Sequence, residues 1–130
     1  MAIKIRKAIA AFALAAGLMA GSVCSAANWY WLASNDSYST YIDLDSVQRL
    51  QVKPDKGEMF YYASVWEKFE YPSGRFNLEH MKISKNRMMT IDLHYEYNCY
   101  GTEIGSVTYP EKWERVVPGT VADTIWHMIY

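Results

Sequence analysis

One segment restricts the fold of this chain more than any other. From Met88 to Cys99, the apolar residues Met89, Ile91, Leu93, Tyr95, Tyr97 and Cys99 alternate with Thr90, Asp92, His94, Glu96 and Asn98. Successive side chains on a strand point to opposite faces, so a sustained period of two marks a strand with one apolar and one wet face. Sheets that meet water on one side are characteristically antiparallel. This reading puts Cys99 on the core side.

Other segments supply partners for such a strand. Asn28 to Ser34 and Tyr38 to Asp43 are rich in aromatic, Thr and Ile residues, which suit a pleated surface, and Asn35-Asp36-Ser37 is a turn signal between them. Asp43 to Ser46 turns the chain again, and Val47 to Val52 is a short strand. In Lys53-Pro54-Asp55-Lys56-Gly57, proline fixes one backbone angle and glycine supplies a left-handed one, so a hairpin loop is expected. Met59 to Tyr71 follows as a long strand, with Tyr61, Ala63, Val65 and Phe69 on one face and Tyr62, Ser64, Trp66 and Lys68 on the other. Pro72-Ser73-Gly74 ends it. Phe76 to Asn86 is ambiguous and reads as a connection with strand or helical-turn content. Gly101 turns the chain into a last strand, Glu103 to Tyr109.

The C-terminal segment has a different period. Val121, Ile125, Met128 and Ile129 form an apolar stripe at helical spacing. Thr120 is the expected cap, and Asp123 lies where a carboxylate favours the positive helix end and can reach back to the cap. The expected architecture is one α+β domain, residues 28–130: five or six antiparallel strands packed against one C-terminal helix.

The first 27 residues read as a cleavable secretory signal. Lys4, Arg6 and Lys7 precede an uncharged apolar run from Ala8 to Ala20, and small residues follow up to Ala27. A spanning helix needs about 20 apolar residues, more than this run offers, and no later stretch reaches that length. The expected protein is therefore exported, to the periplasm or the cell surface, with no integral membrane segment after cleavage. Cleavage removes three of the 13 basic residues and none of the 14 acidic ones, leaving ten against fourteen, a charge of −4. Nucleic-acid binders carry a basic face, so nucleic acid is a poor partner. Cleavage also removes Cys24, so Cys99 is left without an intrachain disulfide partner; a small buried core residue is its commonest fate, and a reactive thiol or an intermolecular pairing is the alternative.

No motif for catalysis stands out. There is no nucleophile elbow, no HExxH, no paired-cysteine metal signature and no glycine-rich phosphate loop. Asp43 and Asp45 fit turn chemistry. His94 and Glu96, two apart on one strand face, could join His80 in a metal or small-ligand site, the alternative reading. No cofactor and no enzymatic activity are expected. Aromatic residues are more informative: all five Trp and all eleven Tyr follow the signal. Tyr62 and Trp66 point away from the expected core, and such an aromatic patch is either a contact surface for a protein partner or a second copy of the chain, or is covered by a second packing layer or by loops.

In order, Trp29-Tyr30-Trp31, Ser39-Thr40-Tyr41-Ile42-Asp43 with Ser46-Val47, Val65-Trp66-Glu67-Lys68, Tyr97-Asn98-Cys99, Ser106-Val107-Thr108-Tyr109 and Trp113-Glu114-Arg115-Val116-Val117-Pro118-Gly119-Thr120 resemble the surface-adhesin protein E family of exported bacterial proteins. The resemblance spans nearly the whole mature chain. It implies an antiparallel sheet against a C-terminal helix. It also implies a non-enzymatic role in the cell envelope or at its surface, with adhesion to host matrix or plasma proteins. Trp113, Thr120, Asp123 and Cys99 take structural roles in this reading. Two features depart from the family pattern. The family ties the cysteine of the Tyr-x-Cys strand to a second cysteine at the helix end, where this chain has Trp126-His127-Met128-Ile129-Tyr130. The connection from Tyr109 to Trp113 is also short.

Overall fold

The computed structural model describes residues 27–130, so the expected export signal lies outside the described residues except for Ala27. Eight strands and one helix follow in order: β1 (Trp29–Ser34), β2 (Ser39–Asp43), β3 (Gln48–Val52), β4 (Phe60–Glu70), β5 (Phe76–Ser84), β6 (Met88–Tyr97), β7 (Glu103–Thr108), β8 (Glu114–Arg115) and α1 (Val121–Ile129). A single 3-10 turn, Leu44–Ser46, joins β2 to β3, with the Asp43 side chain accepting from the Asp45 N–H. Every strand pair is antiparallel.

The strands form one sheet in the order β1-β2-β4-β5-β6-β7, with β3 also on β4 and β8 also on β6. β2 pairs with residues 67–70 of β4 and β3 with residues 60–64, so two short strands share one edge of a long one. β7 and β8 share the outer edge of β6 in the same way. Eight strands, rather than five or six, therefore fill six positions across the sheet. Of the two readings open for the ambiguous segment, strand holds: Phe76–Ser84 is the nine-residue strand β5. Its apolar positions change parity midway, from Phe76 and Leu78 to Met81 and Ile83, which hides the period of two.

α1 lies on one face of this sheet. Ile125 and Ile129 are buried against Ile42, Ala63, Val65, Met81 and Ile83, and Val116 closes the cluster. Polar contacts fasten the helix as well. Trp126 Nε1 donates to the Ser84 carbonyl at 3.0 Å, Tyr130 OH to the Ile83 carbonyl at 3.1 Å, and Arg49 to the Ile129 carbonyl at 3.0 Å. Of the expected stripe, Met128 is exposed, and Trp126 packs on the core cluster instead.

The helix begins as its sequence demands. Thr120 is extended, and its hydroxyl accepts from the Asp123 N–H at 3.3 Å. Asp123 reaches back one residue beyond the cap, accepting from the Gly119 N–H at 3.0 Å, and also meets Arg87 at 3.1 Å. Gly119 stands at φ +81, in the left-handed region that a side chain disfavours. Thr120→Ala should lower stability by about 1 kcal/mol, read as a fall in the urea midpoint.

Cys99 corrects one expectation. β6 ends at Tyr97, and Cys99 is exposed in the turn that follows rather than buried. The turn forms because the Asn98 side chain accepts from the N–H groups of Tyr100 and Thr102, while Gly101 N–H donates to the Asn98 carbonyl. Asn98 thus ends the strand two residues before its alternating sequence does.

Candidate functional site

The two faces of the sheet differ in chemistry, and a single inserted residue creates much of the difference. Met81 of β5 pairs with Ile91 of β6, but His80 pairs with Leu93, leaving Asp92 as an extra residue. A bulge of this kind reverses the facing of everything beyond it. Met89 and Ile91 therefore face α1 and pack on its core, whereas Leu93, Tyr95 and Tyr97 turn to the other side. His94 and Glu96 take their place on the helix side.

The helix-free face is aromatic. Trp66 lies against His80 at 4.9 Å and Tyr95 at 6.0 Å between ring centres. Phe76 and Tyr97, a cross-strand pair, stack at 4.8 Å with an interplanar angle of 12°. Tyr62 and Phe60 receive the edge of Trp113, at 6.0 and 5.1 Å, so the segment before β8 folds over this end of the face. Offset and edge-on ring pairs of this kind add about 0.5–1.5 kcal/mol each beyond area burial, which fixes the rings in place. Lys68 extends its ammonium over Trp29 and Tyr41, each at 5.0 Å, and Phe76 at 5.7 Å. Trp31, Leu50 and Val52, whose cross-strand partners Tyr41, Tyr62 and Phe60 belong to this face, are exposed at its margins. Among the described residues no helix packs on this side.

Tyr62 and Trp66 thus lie where the sequence places them, on the face away from the core. Each is half-buried among neighbouring rings rather than standing free. Burial pushes the Tyr97 phenol up to about 12, with the Glu103 and Tyr95 charges adding to the effect, so this ring stays a neutral donor at ordinary pH.

His80, His94 and Glu96 do not come together. His94 and Glu96 share the helix side, with Nε2 and Oε2 3.3 Å apart. His80 points to the aromatic side, where its Nδ1 lies 2.8 Å from Asp92 Oδ1. The sheet itself separates them, and among the described residues no cluster of three or more His, Cys, Asp or Glu side chains is arranged to hold a metal ion.

A residue that sequence reasoning passed over lies on the helix side. Glu67 has the same parity as Ala63 and Val65, and β2 and β5 flank it, so it is only 3% exposed. Desolvation, with the Glu79 charge beside it, pushes its carboxyl up to about 8. Glu79 in turn pairs with His94 Nδ1 at 2.9 Å. The signal was present in the alternation of β4, which places position 67 among its buried neighbours.

Comparison with known proteins gives no match to a family model, a characterised sequence or a solved structure.

Proposed function

We propose that this protein is an exported contact protein of the bacterial cell envelope, similar to surface-adhesin protein E, and that its aromatic sheet face binds a host matrix or plasma protein. The observation that carries this reading is the face itself: Trp66, Tyr62, Tyr95, Tyr97 and Phe76 form one surface with no covering helix among the described residues. Sheet residues with an apolar body and a polar tip suit a protein interface, because they contribute area at little entropic cost and keep hydrogen-bonding capacity at the rim. The resemblance of the chain to adhesin-E proteins and the secretory character of residues 1–27 support the same reading.

The export part is tested by proteolysis of intact cells against cells with a permeabilised envelope. Digestion on intact cells is expected. Protection until permeabilisation would remove contact with host proteins and leave an envelope partner.

A further inference from the structure

On the side of the sheet opposite the aromatic face, a cleft of about 280 Å³ opens between the β1–β2 turn and the amino end of α1. Its lining divides by chemistry. Phe69, Met81 and Ile91 are apolar, and Val121 closes it from the helix. Glu67 and Glu79 supply its carboxyl groups. Glu67 is almost wholly buried as a residue and no described residue gives its carboxyl a hydrogen bond, but its oxygens are not sealed and open to the cleft. Buried polar groups are normally partnered, and an unpartnered one that lines a cavity calls for an explanation.

We propose that this cleft binds a small organic cation, a primary ammonium on a short aliphatic body, with Glu67 as its counter-charge. The charges around it favour this class. Glu79, its cross-strand partner on β5, is the charge that bears on it, and His94 on β6 pairs with Glu79, with Glu96 beyond. The β1–β2 turn carries Tyr38 in the lining and Asp36 outside it, and α1 contributes the uncharged Val121 and Ala122. The positive end of α1 is already answered by Thr120 and by the carboxylate of Asp123 on Gly119. An anion would meet two carboxyl groups, whereas an ammonium gains one of them as a partner in a low-dielectric site. The apolar wall holds the aliphatic body, and the volume, near the lower end of ligand pockets at about 300 Å³, admits only a short chain.

Empty, Glu67 keeps its proton below about pH 8. On binding it releases its proton to solvent and the carboxylate pairs with the incoming ammonium. Affinity should therefore rise with pH by up to about tenfold per unit while Glu67 remains protonated in the free protein. The site lies on the other side of the sheet from the aromatic face, so either assignment can fail without the other.

The test is calorimetric titration of the protein with n-butylamine, and with N-acetyl-lysine methylamide, which presents the same group on a peptide. Two buffers of different ionisation enthalpy count released protons. Sodium butyrate and n-butanol are the anionic and uncharged controls. Binding of either amine with proton release, and no binding of the controls, is expected. The tighter of the two amines tells a free amine from a lysine side chain. Glu67→Gln, which mimics the neutral acid and so keeps the fold, should abolish proton release and weaken binding at least about tenfold, as loss of a charged partner does. Ala33→Phe, which fills the cleft from β1 and leaves Glu67 intact, should also remove binding. Flat titrations with both amines, equal binding of n-butanol, or undiminished binding by Glu67→Gln would overturn the assignment.

Discussion

Ile125→Ala is expected to lower the stability of the domain by about 3–4 kcal/mol, the range for emptying a well-packed aliphatic site that cannot collapse. Ile125 is 0% exposed and sits at the centre of the contact between α1 and the sheet, against Ile42, Val65 and Ile83. Those sheet residues come from three strands, β2, β4 and β5, so a cavity at Ile125 weakens the layer that joins them. Cys99 is free and exposed, so no disulfide of this residue retains the helix after the cavity is made. With a denaturant slope of about 1–3 kcal/mol per molar, the urea midpoint should fall by roughly 1–4 M. Met128→Ala, on the exposed side of the same helix, should change stability by no more than about 0.5 kcal/mol. Equal effects from the two substitutions would contradict the way α1 is docked.

The second large effect is on the pH dependence of stability. Glu67 has a folded pKa of about 8, against an ordinary value of 4.5, because burial penalises its charged form. Below the ordinary value both states hold the proton, and the stability of the protein is undiminished by this group. Between 4.5 and about 8 the unfolded chain loses a proton that the folded chain keeps. Stability must then fall as pH rises through this window, by of order 1 kcal/mol per pH unit, and flatten above it. Glu67→Gln removes the proton exchange. The variant should match the wild type at the acid end and exceed it by about 5 kcal/mol at the alkaline end. Urea denaturation of both proteins across the window checks this, and parallel profiles would contradict it.

Asp123 works in the opposite sense. The Gly119 N–H holds its carboxyl below the usual carboxylate range; burial opposes this, and the charges of His127 and Arg87 add to it. Its stabilising contribution is present above the unfolded value and is lost as pH falls through the folded one. Asp123 at the helix start therefore acts on the acid end of the profile, where Asp43, held above its ordinary value by burial, acts in the opposite sense, and the decline toward alkaline pH belongs to Glu67 within the sheet.

The sequence made the elements legible more readily than their facing. The alternation around Ile91, the Pro54–Gly57 turn and the Thr120–Asp123 cap each rest on local chemistry, and each fell in place within a residue or two. The antiparallel sheet and C-terminal helix follow from them. The Asp92 bulge left no such mark. An alternating pattern reads the same with or without an inserted residue, because the register of the neighbouring strand decides it. Leu93, Tyr95 and Tyr97 were therefore expected in the core and stand on the aromatic face, while His94 and Glu96 go inward.

The same insertion separates His94 and Glu96 from His80, which joins Asp92 on the other side. β5 was hidden because each face of the sheet is apolar along a different half of it, so Phe76 and Leu78 serve one face and Met81 and Ile83 the other. Cys99 was misplaced for a local reason: the Asn98 turn ends the strand before the alternation ends. Glu67 was readable by parity, and its charge obscured it, since a carboxylate among buried positions is uncommon.

The aromatic face is the central assignment, and binding to immobilised matrix and plasma proteins by variants of the two sides of the sheet tests it most directly. Trp66→Ala and Tyr62→Ala, with folding verified by urea denaturation, should each weaken binding at least about tenfold, as loss of an interface anchor does, while Met128→Ala on the helix binds like the wild type. Wild-type binding by both aromatic variants, or loss only with Met128→Ala, would contradict it.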